Sequence, residues 1–157
     1  DGFNDDLRII VAIVPAHKET ESAHVEATKS HMFQARVKHA ESQIFKALDA
    51  IEIGDFDGIF SLAELDSISL AATTMTGPKG WIYWKPETLS IFENIRILRE
   101  GGADAYFSTD TGATVYINTR EKYVSQISDS ISDLEIETQT WHVGGPATIL
   151  DRKEDLF

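Results

Sequence analysis

Residues 7–14, LRIIVAIV, are β-branched and almost uninterrupted by polar side chains. That pattern predicts a strand buried on both faces, ended by Pro15. Residues 16–22, AHKETES, are polar and predict an ordered loop. From about His24 to Ile51 the spacing turns helical: Phe33, Val37, Ala40, Ile44, Leu48 and Ile51 recur at intervals of 4, 3, 4, 4 and 3 residues and make one apolar stripe. Ser30 is placed to cap a break near the middle, Gly54 ends the helix, and Asp55 caps a second helix from Phe56 to about Met75. The two form an antiparallel hairpin. After a turn at 76–80, the cluster Trp81-Ile82-Tyr83-Trp84 stops at Pro86 and reads either as core or as the wall or lid of a pocket. Leu89, Phe92, Ile95 and Leu98 define a third helix, with Glu87 in its first turn and Gly101-Gly102 at its end. Two strands, 103–108 and 114–118, flank a turn. A fourth helix covers 121–132 with Thr119 as its N-cap. A last strand, 134–143, is ended by Gly144-Gly145-Pro146, and the charged tail 151–157 frays.

This order predicts an α+β fold: a four-stranded, mostly antiparallel sheet with helices packed on one face. The 157 residues suit a single domain over 1–157, with no internal repeat or linker. The chain has no cysteine, which excludes disulfides and thiolate chemistry and suits a reducing cytoplasm. A net charge of −12 argues against non-specific nucleic-acid binding, yet local cations or helix N-termini can still hold a phosphate-bearing ligand. No apolar run approaches the length of a membrane span. The start, DGFNDD, has no basic or apolar signal-peptide region. It also lacks an initial Met, which suggests a piece of a longer protein.

Residues 105–118, AYFSTDTGATVYIN, carry the sharpest chemical signal. An apolar strand runs into Asp110-Thr111-Gly112 and a second strand leaves it. A strand end can hold a carboxylate rigidly at a cleft, and Gly112 allows close approach of a ligand or another segment. The plainer alternative is a hairpin whose Asp110 only caps the turn. Two further segments pose the same choice. Lys18, with Thr20 and Ser22, sits where a buried strand delivers a polar loop, and is either a phosphate or carboxylate binder or a solvated loop. Asp66-Ser67-Ile68-Ser69 interrupts an otherwise apolar helix and needs either packing partners or a ligand. Among the five histidines, His17, His24, His31 and His39 do not pair with carboxylates at metal-binding spacing, so no metal site is expected. Asp55 and Asp57 in DFDG lack the Glu of an EF-hand and read as a helix start. There is no P-loop, GxGxxG or nucleophile elbow.

Taken together, three of these segments resemble one family. KETES (18–22) before a helix, the helical DSIS (66–69) and AYFSTDTGATVYI (105–117) stand in the order and approximate spacing of the C-terminal half of mevalonate diphosphate decarboxylases, members of the GHMP kinase superfamily. The resemblance covers nearly the whole chain, and the Asp-x-Gly hairpin is its most specific part. It departs at three points. Thr111-Gly112-Ala113-Thr114 replaces Ala-Gly-Pro-Asn, Leu70-Ala71 replaces an aromatic and a histidine, and no arginine lies between His17 and Val25. These departures look like those of archaeal relatives that act on mevalonate phosphorylated at the 3-position. Among these the 3-kinase lacks the catalytic aspartate, so Asp110 points to a mevalonate 3,5-bisphosphate decarboxylase.

The resemblance implies a ferredoxin-like GHMP C-terminal domain with Asp110 at the reacting centre and Lys18, Thr20, Ser22, Ser67 and Thr111 around a phosphorylated mevalonate. It also implies an N-terminal half that is not in this chain, and a cytoplasmic homodimer binding neither nucleic acid nor membrane. The chain itself holds no cofactor; ATP and magnesium enter the full enzyme if it is of the diphosphate type. A small-molecule 3-kinase and a non-catalytic α+β ligand-binding domain are the alternatives.

Overall fold

Leu7–Ala12 forms the first strand, β1, as its β-branched run requires. In this computed structural model, which describes residues 2–16 and 20–145, a single helical turn precedes it, α1 (Gly2–Asp6). Sequence periodicity could not show a turn so short. Four helices follow: α2 (Thr20–Lys29), α3 (Phe33–Ile53), α4 (Phe56–Met75) and α5 (Pro86–Glu100). The chain then gives β2 (Ala105–Ser108), β3 (Val115–Arg120), a 3₁₀ turn at Glu121–Tyr123, α6 (Val124–Ser132) and β4 (Thr138–His142).

The sheet order is β2-β3-β1-β4, and every neighbouring pair is antiparallel. With helices joining β1 to β2 and β3 to β4, this is the ferredoxin-like arrangement. The core lies on one face of the sheet. Ile10, Ala12, Ala105, Phe107, Val115 and Ile117 point into it, and Ile91, Phe92, Ile95, Ile127 and Ile131 of α5 and α6 close over them. Phe92 stacks on Phe107 with ring centroids 3.8 Å apart. The opposite face, near the start of β1, carries an aromatic group in which Phe56 packs on Phe3, Phe60 and Tyr106.

Helix α4 runs along the free edge of β2. Its Glu64 accepts a hydrogen bond from the Phe107 N–H (3.2 Å) and its Ser67 hydroxyl accepts one from the Thr109 N–H (3.0 Å). An edge strand would otherwise present unpaired donors; here two side chains of one helix satisfy them. Gly54, at φ 68°, ends α3 in the left-handed conformation, and the Asp55 carboxylate accepts from the Gly58 N–H at 3.0 Å. Both follow the sequence expectation.

Several boundaries differ from it. The 24–51 helix is two helices, because Ser30 Oγ accepts from the Met32 N–H (3.0 Å) and pairs with Thr76 Oγ1 (2.7 Å), the capped break that its position suggested. Helix α2 starts earlier, so Thr20, Glu21 and Ser22 are helical rather than loop. Thr119 is no N-cap: it is a fully buried β3 residue whose hydroxyl donates to the Asp104 carbonyl at 2.6 Å. The last strand begins at Thr138, because Glu135 takes a left-handed φ of 59° and reverses the chain first. Finally, Ile44, Leu48 and Ile51 of the α3 stripe are 56%, 57% and 59% exposed. Their periodicity is real, but among the described residues no element covers that face.

Candidate active site

Asp110 stands in the β2–β3 connection, and three contacts place it. On one side the Ser67 hydroxyl, itself buried, accepts from the Thr109 N–H and donates to the Ala63 carbonyl (2.9 Å), locking the end of β2 to α4. On the other, the Thr88 hydroxyl at the start of α5 donates to the Ala113 carbonyl (2.8 Å) and accepts from the Lys85 N–H (3.1 Å). Within the turn, Asp110 Oδ1 accepts from the Gly112 N–H at 2.8 Å. A Cβ at residue 112 would come to 3.1 Å from that oxygen, tighter than ordinary contact, so a larger residue there would press on the carboxylate. The capping role and the cleft role of Asp110 are therefore compatible. The residue is solvent-exposed, and one carboxylate oxygen is used by the turn.

Beside this corner the structure adds a group that the sequence did not single out. Arg36 of α3 makes a bidentate ion pair with Asp66 (2.9 and 3.1 Å), with one nitrogen also donating to the Asp66 carbonyl. Asp66 of the DSIS segment is thus held by a neighbouring helix, and Ser67 by the β2 end, so both have packing partners. Tyr83 is only 2% exposed. Burial pushes its phenol up to about 12; the Thr74 hydroxyl and the Arg36 charge pull it down, and the Asp110 charge pushes it up. Within the 81–84 cluster Tyr83 is buried, Trp81 and Trp84 are half-buried and Ile82 is exposed, so the segment is part core and part surface.

The segment leaving β1 reaches the same corner. The Val14 N–H donates to the Thr114 hydroxyl (3.3 Å), four residues past Asp110. Val14 therefore lies against the residues that follow the turn, and α2 begins at Thr20. Lys18 itself and the side chains of Thr20 and Ser22 lie outside the described residues. Among the proposed site residues the structure brings together Ser67, Asp110 and the half-buried Thr111. A cleft of about 600 Å³ opens near Val14 and Lys85, but its charged walls are Lys85, Glu87, Glu135 and Glu137, and Asp110 does not line it. Three carboxylates against one ammonium disfavour an anionic ligand there. Among the described residues no three His, Asp or Glu side chains gather closely enough for a metal ion. No helix among them is long and apolar enough to cross a membrane.

Ser67→Ala is expected to strand the Thr109 N–H and to destabilise the protein by about 1–3 kcal/mol. Urea unfolding of the variant checks this; an unchanged midpoint would mean that Ser67 does not hold the β2 end.

No family model matches the chain. A phosphomevalonate decarboxylase from Haloferax volcanii is 58% identical to it over 156 residues, 99% of this chain and 48% of that protein. The chain is similar to the C-terminal half of that decarboxylase. It spans about half the length of the curated relative it matches. The fold agrees with this. Mevalonate pyrophosphate decarboxylase from Streptococcus pyogenes superposes with a TM-score of 0.84 at 19% identity, over 92% of this chain and 46% of that one. Mevalonate-3-kinase from Thermoplasma acidophilum superposes at 0.83 and 15% identity, over 92% and 45%.

Proposed function

We propose that this chain is the C-terminal half of a mevalonate-pathway decarboxylase that converts a phosphorylated mevalonate to an isopentenyl phosphate. The observation that carries this is the 58% identity, along essentially the whole chain, to a phosphomevalonate decarboxylase. The 3,5-bisphosphate is the preferred substrate and the 5-diphosphate the other candidate. In the reaction the bond between the carboxylate carbon and C2 breaks, and its electron pair becomes the C2–C3 double bond. The C3–O bond breaks with its pair leaving on phosphate, and CO2 departs neutral. Asp110 serves the step electrostatically. A fixed carboxylate beside the substrate carboxylate raises the charged ground state more than the transition state, in which that charge is dispersing.

Lys18, Thr20 and Ser22 hold a substrate phosphate in this proposal, at the start of α2, whose N-terminal dipole favours an anion. Thr111 and the Ser67 segment form the floor. ATP and magnesium belong to the N-terminal half if the substrate is the 5-diphosphate. The described residues offer no cluster of three His, Asp or Glu side chains for magnesium. A cytoplasmic homodimer completes the reading and rests on the resemblance.

The structural likeness to mevalonate-3-kinase favours one rival, a 3-hydroxyl kinase. The full-length protein, given mevalonate 3,5-bisphosphate without ATP, should release CO2 and phosphate in equal amounts. The isolated 157-residue chain should release neither. ATP turnover on mevalonate without CO2 would select the kinase, CO2 release from mevalonate 5-diphosphate only with ATP would select the diphosphate-type decarboxylase, and activity in none of these assays would leave a ligand-binding domain.

A further inference from the structure

Residues 109–114, Asp110 among them, lie outside both strands. The pairing of β2 with β3 stops at Ser108 and Tyr116, so the ladder does not by itself fix the shape of this connection. Side chains from both ends of it and from two helices do so. Before Asp110, the Ser67 hydroxyl of α4 accepts from the Thr109 N–H at 3.0 Å. After Asp110, the Thr88 hydroxyl of α5 donates to the Ala113 carbonyl at 2.8 Å, and the Val14 N–H donates to the Thr114 hydroxyl at 3.3 Å.

Thr88 differs from the others in its burial and in what it joins. Thr88 and Ala113 are both buried, Thr88 completely, so water does not compete for this bond and the bond is strong for its kind. The same hydroxyl accepts from the Lys85 N–H at 3.1 Å. Lys85 immediately precedes α5 and Thr88 is the third residue of that helix, the place from which a capping side chain reaches back to the helix entrance. A hydroxyl has one proton to give and two lone pairs to offer. Capping uses only a lone pair; the proton goes to the turn. The helix on which Thr88 stands is itself firmly seated, since Ile91, Phe92 and Ile95 are in the core and Phe92 stacks on Phe107 of β2. Gly112, the residue before Ala113, in turn donates its N–H to Asp110 Oδ1 at 2.8 Å. A continuous set of bonds therefore runs from the core helix through Thr88, Ala113 and Gly112 to the carboxylate.

We infer that Thr88 is a positioning residue for Asp110: its buried hydroxyl ties the returning side of the turn to α5 and so sets where the carboxylate stands. The inference rests on the proposal that Asp110 serves the reacting centre. Ser67 fixes the approach to Asp110, and Thr88 fixes the exit. Without the exit bond Ala113 loses the anchor nearest to Gly112, and the carboxylate moves with the turn. A displacement of about 1 Å costs a reaction up to about a hundredfold, while groups that bind substrate elsewhere keep their places.

The test compares Thr88→Val and Thr88→Ser in the full-length enzyme, beside Asp110→Asn and the Thr88→Val, Asp110→Asn double variant. The substrate is mevalonate 3,5-bisphosphate, and the temperature is one at which every variant is folded. Valine keeps the shape and removes the hydroxyl; serine keeps the hydroxyl. Thr88→Val strands the Ala113 carbonyl and the Lys85 N–H, so its melting temperature should fall. Its kcat should fall about ten- to a hundredfold, with KM within about twofold because substrate binding is not what the bond serves. Thr88→Ser should hold kcat within about threefold of the wild type, since the bond to Ala113 survives. In the Asp110→Asn background Thr88→Val should lower kcat no further, because the group it positions is already gone. A normal kcat for Thr88→Val beside a crippled Asp110→Asn overturns the role of Thr88 and leaves that of Asp110, whatever the melting temperature does. A raised KM at unchanged kcat, an equal loss of kcat in Thr88→Ser, or a further loss in the double variant also overturns it. If valine prevents folding, Thr88→Ala, which removes the same hydroxyl and leaves room for a water, is read by the same criteria. Near-normal turnover by Asp110→Asn removes the reading on which the inference stands.

Discussion

Asp110→Asn in the complete enzyme is expected to lower kcat for CO2 release by about a hundred- to ten-thousandfold, the usual loss on removing one catalytic group. The fold should not change. Asn retains an oxygen that can accept from the Gly112 N–H, so the turn contact of 2.8 Å survives, and the residue is exposed, so no buried group is stranded. What the substitution removes is the negative charge, and the proposed electrostatic role needs nothing else from this side chain. Measuring kcat and thermal melting on one preparation separates the two roles. A normal melt with normal turnover would reduce Asp110 to a turn residue and leave the proposed mechanism without its centre.

Glu64→Leu should have the largest effect on stability. The Glu64 side chain, 10% accessible, meets Arg99 at 2.5 Å and accepts from the Phe107 N–H at 3.2 Å. Arg99 also donates to the Ala105 carbonyl at 2.8 Å. One carboxylate therefore joins α4, α5 and β2. Leucine fills the space but leaves a buried N–H unpaired and a guanidinium without its counter-charge. Breaking a buried pair costs roughly 3–5 kcal/mol. Arg99 is 29% accessible and can recover some hydration, so about 3 kcal/mol is expected. Urea unfolding followed by tryptophan fluorescence measures it, and a loss below about 1 kcal/mol, the worth of an ordinary exposed pair, would show that α4 holds the β2 edge by other contacts. Because Ser67 acts on the same edge, one turn further along α4, the same variant should also lower activity by loosening the strand end that carries Asp110.

Much of this molecule was determined by the sequence alone. The β-branched run of β1, the Gly54-Asp55 punctuation between α3 and α4, the Asp-Thr-Gly hairpin and the α+β order are local or periodic signals, and each is set by backbone sterics or side-chain alternation within a few residues. The motifs at 66–69 and 105–117 were legible for the same reason. Tertiary structure decided what lies across long separations. Ser67 is a backbone anchor only because α4 runs beside β2, 42 residues away. Thr119 proposes a cap by its type and context, but it is drawn into β3 by pairing with Leu7–Ala12 and Ala105–Ser108, since a ladder outweighs one capping bond. The α3 stripe has a helical period whether or not anything covers it, and only the packing shows that Ile44, Leu48 and Ile51 stand in solvent here. Tyr83 is one aromatic among several in the sequence. It stands out only when packing with Trp81 and Trp84 leaves its buried hydroxyl without a partner, because a hydrogen-bond deficit is a property of surroundings and not of residue type.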